Sequence, residues 1–347
     1  MIGRRRLTTA IATLLGAILL PAGAATTALA ADKSFMPALI YDIGGKADKS
    51  FNEAAYVGAE RFRRETGIAY RDFEVTNESQ REQAMTAMVR RGATIVVAIG
   101  FDQRTSMEQV ARQHPETRFT IVDEVIDLPN VQSVIYREHE GSFLVGMLAA
   151  LASKTGKVGF VGGMDVPLVR KFAVGYAEGA RYVRPGIEVL QNMTGTTPAA
   201  WHDPARGGEL ARSQFDRGVD VVFAAAGTTG LGILQAAKDA GRLGIGVDSN
   251  QDYLFPGTML TSMVKRVDLA VYEAFKAARD GTWKPGRQSL GLAEDGVAYA
   301  LDEYNDKLIT PEMRAKVDAA RADIIAGRIT VTDAMASPAA AAAAPAK

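Results

Sequence analysis

Residues 94–122, TIVVAIGFDQRTSMEQVARQHPETRFTIV, contain the clearest indication of the class of fold. The runs 94–99 and 118–122 are largely apolar, while the residues near 105–114 have the spacing of a helix. Strands without a polar face are typical of a parallel sheet that is covered by helices on both sides. The order strand, helix, strand therefore predicts an α/β fold.

The same alternation continues in both directions from this stretch. Upstream, predicted strands at 38–41 and 70–75 are each followed by a helix-period segment, at 51–65 and 79–91. Downstream, the pattern restarts with a helix at 140–153, followed by alternating strands and helices at 157–161, 168–183, 187–191, 205–217, 220–224, 230–240 and 244–247. Two successive α/β runs predict two doubly wound parallel-sheet lobes.

Two segments, 131–137 and 259–266, stand between these patterns and are predicted to cross between the lobes. A helix at 269–280 then returns to the first lobe, residues 290–300 cross once more, and 311–326 form a last helix. In open α/β sheets, ligands bind beyond the carboxyl ends of the strands. We therefore expect a ligand site in the cleft between the lobes, with hinge motion at the crossovers.

The ends of the chain differ in composition from its middle. Three arginines at 4–6, an apolar run at 11–20 and the small-residue exit at 28–30 are typical of a secretory signal peptide. The alternative is a membrane anchor, but the apolar run is shorter than the ~20 residues of a spanning helix. Four parts of the chain are predicted: signal peptide (1–30), N-terminal lobe (36–137 plus 263–289), C-terminal lobe (138–262 plus 290–334) and disordered Ala/Pro tail (337–347).

Composition excludes several kinds of site. The chain has 347 residues, no Cys and three His, which excludes disulfides, thiolate metal sites, cysteine nucleophiles and a lipid-anchored Cys. Forty basic and forty acidic residues cancel, so no long-range field favours nucleic acid. The motifs GxxxxGK[ST], GxSxG and HExxH are absent from the sequence. We therefore predict no enzyme, no metal site and no cofactor.

Polar and aromatic residues stand where the predicted strands end. Asp42 ends the first strand, Asp123 follows 118–122, and Asp248 follows 244–247. Phe51 and Asn52 come shortly after the first strand, a ring suited to stacking and an amide suited to the edge of a flat ligand. A carboxylate can also accept two hydrogen bonds from a sugar diol.

Three residues of the later segments complete the candidate site. Phe172 lies early in the helix 168–183, Gly227 allows a close backbone approach after a strand, and Lys265 on the second crossover can reach the cleft. Several carboxylates with aromatic rings and a lysine at strand ends predict a polar pocket that binds a ring.

Each of these residue types has a purely structural alternative, and the sequence leaves it open. Asp48 and Ser50 can start the helix that follows them, with Glu53 completing a capping box. Asp123 can stand in a solvent-facing turn, and Phe172 can pack in the core of the second lobe.

Four motifs resemble those of the basic membrane protein (BMP) family: DKSFN at 48–52, GGMDVPL at 162–168, GVDSNQ at 246–251 and TSMVK at 261–265. The resemblance extends over nearly the whole chain after residue 30. It implies a type I periplasmic-binding-protein fold and a substrate-binding protein of an ABC importer, of the purine nucleoside receptor type. Many members of this family carry a lipobox Cys, which this sequence lacks.

The family also implies a role for each candidate residue. Phe51 and Phe172 would sandwich the base. The residues implied at the base edge are Asp123, Asp42 and Asn52, and those implied at the ribose are Gly227, Asp248 and Lys265. The carboxylates at 124–127 (EVID) can alter the base preference.

The sequence thus predicts a freely diffusing periplasmic receptor, monomeric, that closes on a purine nucleoside and presents it to an inner-membrane ABC permease. Two alternatives stay open. A sugar or signal-molecule receptor that docks on a sensor kinase would depend less on Phe51 than on Asp248. A nucleoside-processing enzyme would convert its ligand, whereas a carrier leaves it intact.

Overall fold

The computed structural model describes residues 35–336. This part of the chain contains twelve strands and nine α-helices. The strands are β1 (Pro37–Tyr41), β2 (Arg71–Glu74), β3 (Ile95–Ile99), β4 (Arg118–Val122), β5 (Val131–Tyr136), β6 (Lys157–Met164), β7 (Glu188–Gly195), β8 (Val221–Ala225), β9 (Leu243–Asp248), β10 (Met259–Lys265), β11 (Gly286–Leu290) and β12 (Val297–Tyr299). The helices are α1 (Phe51–Thr66), α2 (Gln80–Arg90), α3 (Arg104–Gln113), α4 (Glu138–Ala152), α5 (Pro167–Val183), α6 (Pro204–Asp216), α7 (Thr229–Asp239), α8 (Val267–Arg279) and α9 (Pro311–Ile325).

The strands make two six-stranded sheets, one in each lobe. The first has the order β11-β5-β4-β3-β1-β2, and the second has the order β12-β10-β9-β8-β6-β7. Neighbouring strands are parallel except β10 and β12, which are antiparallel. Strands β1, β3 and β8 are buried at every residue, as expected of strands with helices on both faces. The predicted α/β fold with two doubly wound lobes is confirmed.

The crossovers lie at the ends of the segments that were predicted to form them. Residues 131–137 and 259–266 are not connections, because they contain β5 and β10, which are strands of the first and second sheet. The chain changes lobe at Arg137, between β5 and α4, and at Arg266, between β10 and α8. It crosses a third time between β11 and β12. We propose that the lobe limits follow the ends of these strands.

The predicted signal peptide and the predicted tail at 337–347 lie outside the described residues. Within residues 35–336, none of the helices combines the length and the apolar character needed to cross a bilayer.

Helices α4 and α5 of the second lobe touch backbone to backbone. A Cβ atom at Gly146 would overlap the carbonyl of Tyr176, and one at Gly179 would overlap the carbonyl of Phe143. Gly175 lies just as close to the backbone of His139. Since neither main chain can move far inside a packed pair of helices, these positions require glycine.

We expect Gly179→Ala to lower the free energy of unfolding by about 2 kcal/mol, because the added methyl group forces the two helices apart. The measurement is urea unfolding followed by circular dichroism. Gly186→Ala is the control, since a Cβ there would meet no atom within 4 Å. Equal unfolding midpoints for the two variants would contradict the backbone contact.

Candidate functional site

The carboxyl ends of both sheets border one cavity, which holds about 710 Å³ of space free of protein atoms up to its open mouth. All eight residues predicted from the sequence line it: Asp42, Phe51, Asn52, Asp123, Phe172, Gly227, Asp248 and Lys265. The structure therefore brings together residues at or just after the ends of β1, β4, β8, β9 and β10 and residues near the starts of α1 and α5.

Aromatic rings from the two lobes surround the ammonium group of Lys265. Its Nζ lies 5.2 Å from the ring centroid of Phe51 in the first lobe and 5.8 Å from that of Phe172 in the second. The ring of Tyr136 lies 4.9 Å from the same atom. Phe172 also packs at 6.5 Å against Phe223 of the core, so both interpretations of this residue hold. Rings at this distance attract a cation.

Lys265 is buried and forms ion pairs with two carboxylates. Its Nζ lies 2.7 Å from Asp123 Oδ2 and 3.0 Å from Glu138 Oε1. Burial by itself would lower the pKa of Lys265, but the carboxylates of Asp123, Glu138 and Asp248 outweigh it and raise the pKa. Lys265 therefore stays protonated.

Asp123 keeps one oxygen without a partner. Oδ2 accepts from Lys265, whereas Oδ1 is buried and has no hydrogen-bond partner among the described residues. The residue has a positive φ of 73°, which turns the chain sharply at the end of β4. Burial raises the pKa of Asp123, although Lys265 opposes this. An acceptor without a partner, on a residue that lines the cavity, is suited to a donor group of a ligand.

The start of α1 is capped by Asp48 and not by the predicted capping box. The Asp48 carboxylate accepts hydrogen bonds from the backbone N–H groups of Ser50 at 2.8 Å, Asn52 at 2.9 Å and Glu53 at 3.0 Å. The Ser50 side chain makes no capping bond. The capping alternative is thus confirmed for Asp48 and wrong for Ser50, because Asp48 already satisfies the N–H groups that Ser50 would take.

Ser50 instead takes part in hydrogen bonds between the lobes. Its Oγ donates to Asp248 Oδ2 at 2.7 Å, and its carbonyl accepts from Ser249 Oγ at 2.7 Å. Gln251 Nε2 donates to the carbonyl of Lys49 at 2.8 Å. The loop after β9 is therefore bonded directly to the start of α1, which brings the two lobes together beside the cavity.

Asp42 is oriented by three groups of the first lobe. Its Oδ1 accepts from the backbone N–H of Ile43 at 2.8 Å and from Arg81 Nη2 at 3.3 Å. Asn52 Oδ1 accepts from the backbone N–H of Asp42 at 3.0 Å. Burial, which Ile43 and Arg81 partly offset, raises the pKa of Asp42 to about 6. Asn52 therefore also fixes the backbone of Asp42, a role that its sequence position did not indicate.

The sequence interpretation missed several residues of the site. Trp201 lines the cavity, and its ring lies against Gly163, where a Cβ would overlap the indole. The glycine pair at 162–163 is the signal that could have indicated a close neighbour. Arg81 and Glu138 had no signal, since a charged residue in a helix usually faces solvent. In residues 35–336, no group of three or more His, Asp or Glu is placed to hold a metal ion.

Comparison with known proteins places this arrangement in a family. A family model described as Bmp, ABC transporter substrate-binding protein PnrA-like, matches residues 37–334. The chain belongs to this family. The Bmp membership predicted from DKSFN and the three later motifs is confirmed. As a Bmp protein, the chain is a substrate-binding protein of an ABC transporter, and the family is not one of enzymes.

Individual Bmp relatives and structures agree with this assignment. The ABC transporter nucleoside-binding protein BmpA of Lactococcus lactis is 31% identical, over 85% of this chain and 88% of that protein. An uncharacterized lipoprotein of Pyrococcus horikoshii is 34% identical, over 77% and 69%. The crystal structure of an ABC transporter solute-binding protein from Aeropyrum pernix has a TM-score of 0.79 at 28% identity and covers 86% of this chain and 93% of that one. The type I fold is confirmed.

We expect stability to depend on pH through Asp248. Burial raises the pKa of Asp248 from 3.8 to about 7, although the nearby Lys265 and the hydrogen bond from Ser50 oppose this increase. A carboxyl group whose pKa is higher in the folded than in the unfolded state stabilises the fold at low pH, and this contribution is lost as pH rises through about 7. Between pH 5 and pH 8 the loss is roughly 3 kcal/mol.

Urea unfolding of the ligand-free protein at several pH values measures this effect. Asp248→Asn should remove that part of the slope, whereas the exposed control Asp216→Asn should retain it. A wild-type slope that persists in Asp248→Asn would show that the titrating group lies elsewhere.

Proposed function

We propose that this Bmp protein binds a purine nucleoside in the cavity between its lobes and delivers it to an ABC permease. One observation carries the proposal: aromatic rings from both lobes face the same cavity, beside a buried carboxylate with a free oxygen. The printed name of the Lactococcus lactis relative, a nucleoside-binding protein, agrees with it.

The base would lie between Phe51 and Phe172. Stacking on aromatic rings contributes about 0.5–1.5 kcal/mol per pair beyond the burial of apolar area. Asp123 Oδ1 would accept a hydrogen bond from an N–H group at the edge of the base. Such a charge-assisted hydrogen bond is stronger than a neutral one and fixes the orientation of the ring.

The ribose would lie near the loops of the second lobe. Asp248 lines the cavity and can accept hydrogen bonds from hydroxyl groups. Gly227 has a positive φ of 54°, so the chain turns without a side chain at the cavity wall. The sugar can thus approach the backbone closely.

The charges of the cavity favour a nucleoside over a nucleotide. Four carboxylates line it, those of Asp42, Asp48, Asp123 and Asp248, against the single ammonium of Lys265 among the described lining residues. A phosphate group would be repelled by this excess of negative charge. We therefore expect a ligand that has no negative charge and that carries hydrogen-bond donors.

Binding would stabilise the closed arrangement of the lobes. The ligand needs only to favour the closed state by a few kcal/mol, since the bonds from Ser50, Ser249 and Gln251 already join the lobes. The family acts outside the cytoplasm, and we propose the periplasm as the location. The name of the Pyrococcus horikoshii relative, a lipoprotein, does not agree with the predicted absence of a lipid anchor.

The melting temperature of the purified protein with added ligands tests this function. Guanosine, inosine or adenosine should raise it by several degrees, and the corresponding 5′-monophosphates should not. Phe51→Ala and Phe172→Ala should weaken nucleoside binding at least tenfold, because each removes one face of the stack. Tyr182 is 54% exposed, so Tyr182→Ala is the control and should bind as the wild type does.

The same assay distinguishes the alternatives. No shift with any nucleoside or base would refute the proposal, and a shift with ribose alone would favour a sugar receptor. Chromatography after incubation with inosine would reveal an enzyme through loss of the nucleoside.

A further inference from the structure

Four buried charged side chains form a continuous row from the second lobe to the first. Lys171 Nζ lies 2.5 Å from Glu138 Oε2, and Glu138 Oε1 lies 3.0 Å from Lys265 Nζ. Lys265 Nζ in turn lies 2.7 Å from Asp123 Oδ2. The side chain of Glu138 is 0% exposed, and those of Lys171 and Lys265 are 5% and 2% exposed. The signs of the charges alternate along the row.

The row connects the ligand cavity to two crossovers. Asp123 and Lys265 line the cavity, whereas Glu138 and Lys171 are not among its lining residues. Glu138 is the first residue of α4, next to the crossover at Arg137, and Lys265 is the last residue of β10, next to the crossover at Arg266. Glu138 therefore lies behind the cavity wall and reaches the ligand site only through Lys265.

We propose that Glu138 is a positioning residue for ligand binding: it holds the Lys265 ammonium so that Asp123 keeps one oxygen free for the ligand. The proposal rests on the proposed function of the cavity. Lys265 donates a hydrogen bond to Asp123 Oδ2 and forms an ion pair with Glu138 Oε1, while Asp123 Oδ1 has no hydrogen-bond partner among the described residues. Without the Glu138 carboxylate, the Lys265 ammonium would move closer to Asp123 and donate to Oδ1 as well as Oδ2. The oxygen that the ligand needs would then no longer be free.

The second lysine explains how a fully buried carboxylate can remain charged. Lys171 pairs with Glu138 and also donates to the carbonyl of Tyr136 at 2.6 Å. Burial favours the neutral acid, but Lys265 and Lys171 outweigh it and lower the pKa of Glu138. The charged groups that face Lys265 are thus Glu138, Asp123 and, at longer range, Asp248.

Two variants separate positioning from stability. Glu138→Gln should raise the Kd for guanosine or inosine at least tenfold and lower the melting temperature, since it leaves two buried ammonium groups with less compensation. Glu138→Gln combined with Lys171→Met removes one charge of each sign, so the melting temperature should recover while the weak binding persists. Glu188→Gln, in an exposed ion pair with Lys157, is the control and should change neither.

Calorimetric titration of the folded variants gives the decisive comparison. If the paired variant recovered its affinity together with its stability, Glu138 would serve only to neutralise Lys171, and the proposal would be wrong. Wild-type affinity in folded Glu138→Gln would refute it equally. The paired variant preserves net charge and decides the question even if Glu138→Gln alone does not fold.

A ligand-free measurement distinguishes this proposal from the proposed function. NMR of isotope-labelled lysine side chains should show a pKa for Lys265 above those of exposed lysines, and a lower one in the paired variant. If no nucleoside binds the wild type, the proposed function is wrong. The titration still tests whether the ion pair with Glu138 stabilises the charged form of Lys265. An unchanged Lys265 titration in the paired variant would overturn the proposal.

Discussion

A buried ammonium group stays charged only where carboxylates lie close to it, and Lys265 meets this condition through residues from both lobes. Asp123 belongs to the first lobe, whereas Glu138 and Asp248 belong to the second. Removing either direct partner would leave an uncompensated charge in the interior, which typically costs about 3–5 kcal/mol. The geometry of the cavity therefore depends on the lobes staying close enough to share this one cation.

Much of the fold could be predicted because its strands are apolar on both faces. A run such as that of β3 can be stable only between two layers of helices, so its sequence indicates its surroundings. Strand ends could be predicted for the same reason, since polar Asp42, Asp123 and Asp248 interrupt apolar runs. The exits of parallel strands meet along one edge, and this brought the predicted residues to one cavity.

Other parts of the site depend on contacts that no local pattern indicates. Glu138 and Arg81 look like ordinary charged residues of helices, and their burial depends on partners far away in the chain. The start of α1 gives a smaller example. Ser50 and Glu53 have the spacing of a capping box, but Asp48 competes for the same N–H groups and leaves Ser50 free to bond across the lobes. Sequence spacing shows which bonds are available, and the competition between them is decided by the tertiary structure.

The glycine contacts between α4 and α5 have a mechanical consequence. Interlocked main chains cannot slide past one another, so the two helices must rotate as one stiff unit. Helix α4 starts at the first crossover and has a length of about 22 Å at ~1.5 Å per residue. A small change of the backbone angles at Arg137 would thus move α4 and α5 together. Phe172 lies in α5, so its ring would move with them. The fold would convert a local rotation at one joint into a displacement of the Phe172 ring at the cavity wall.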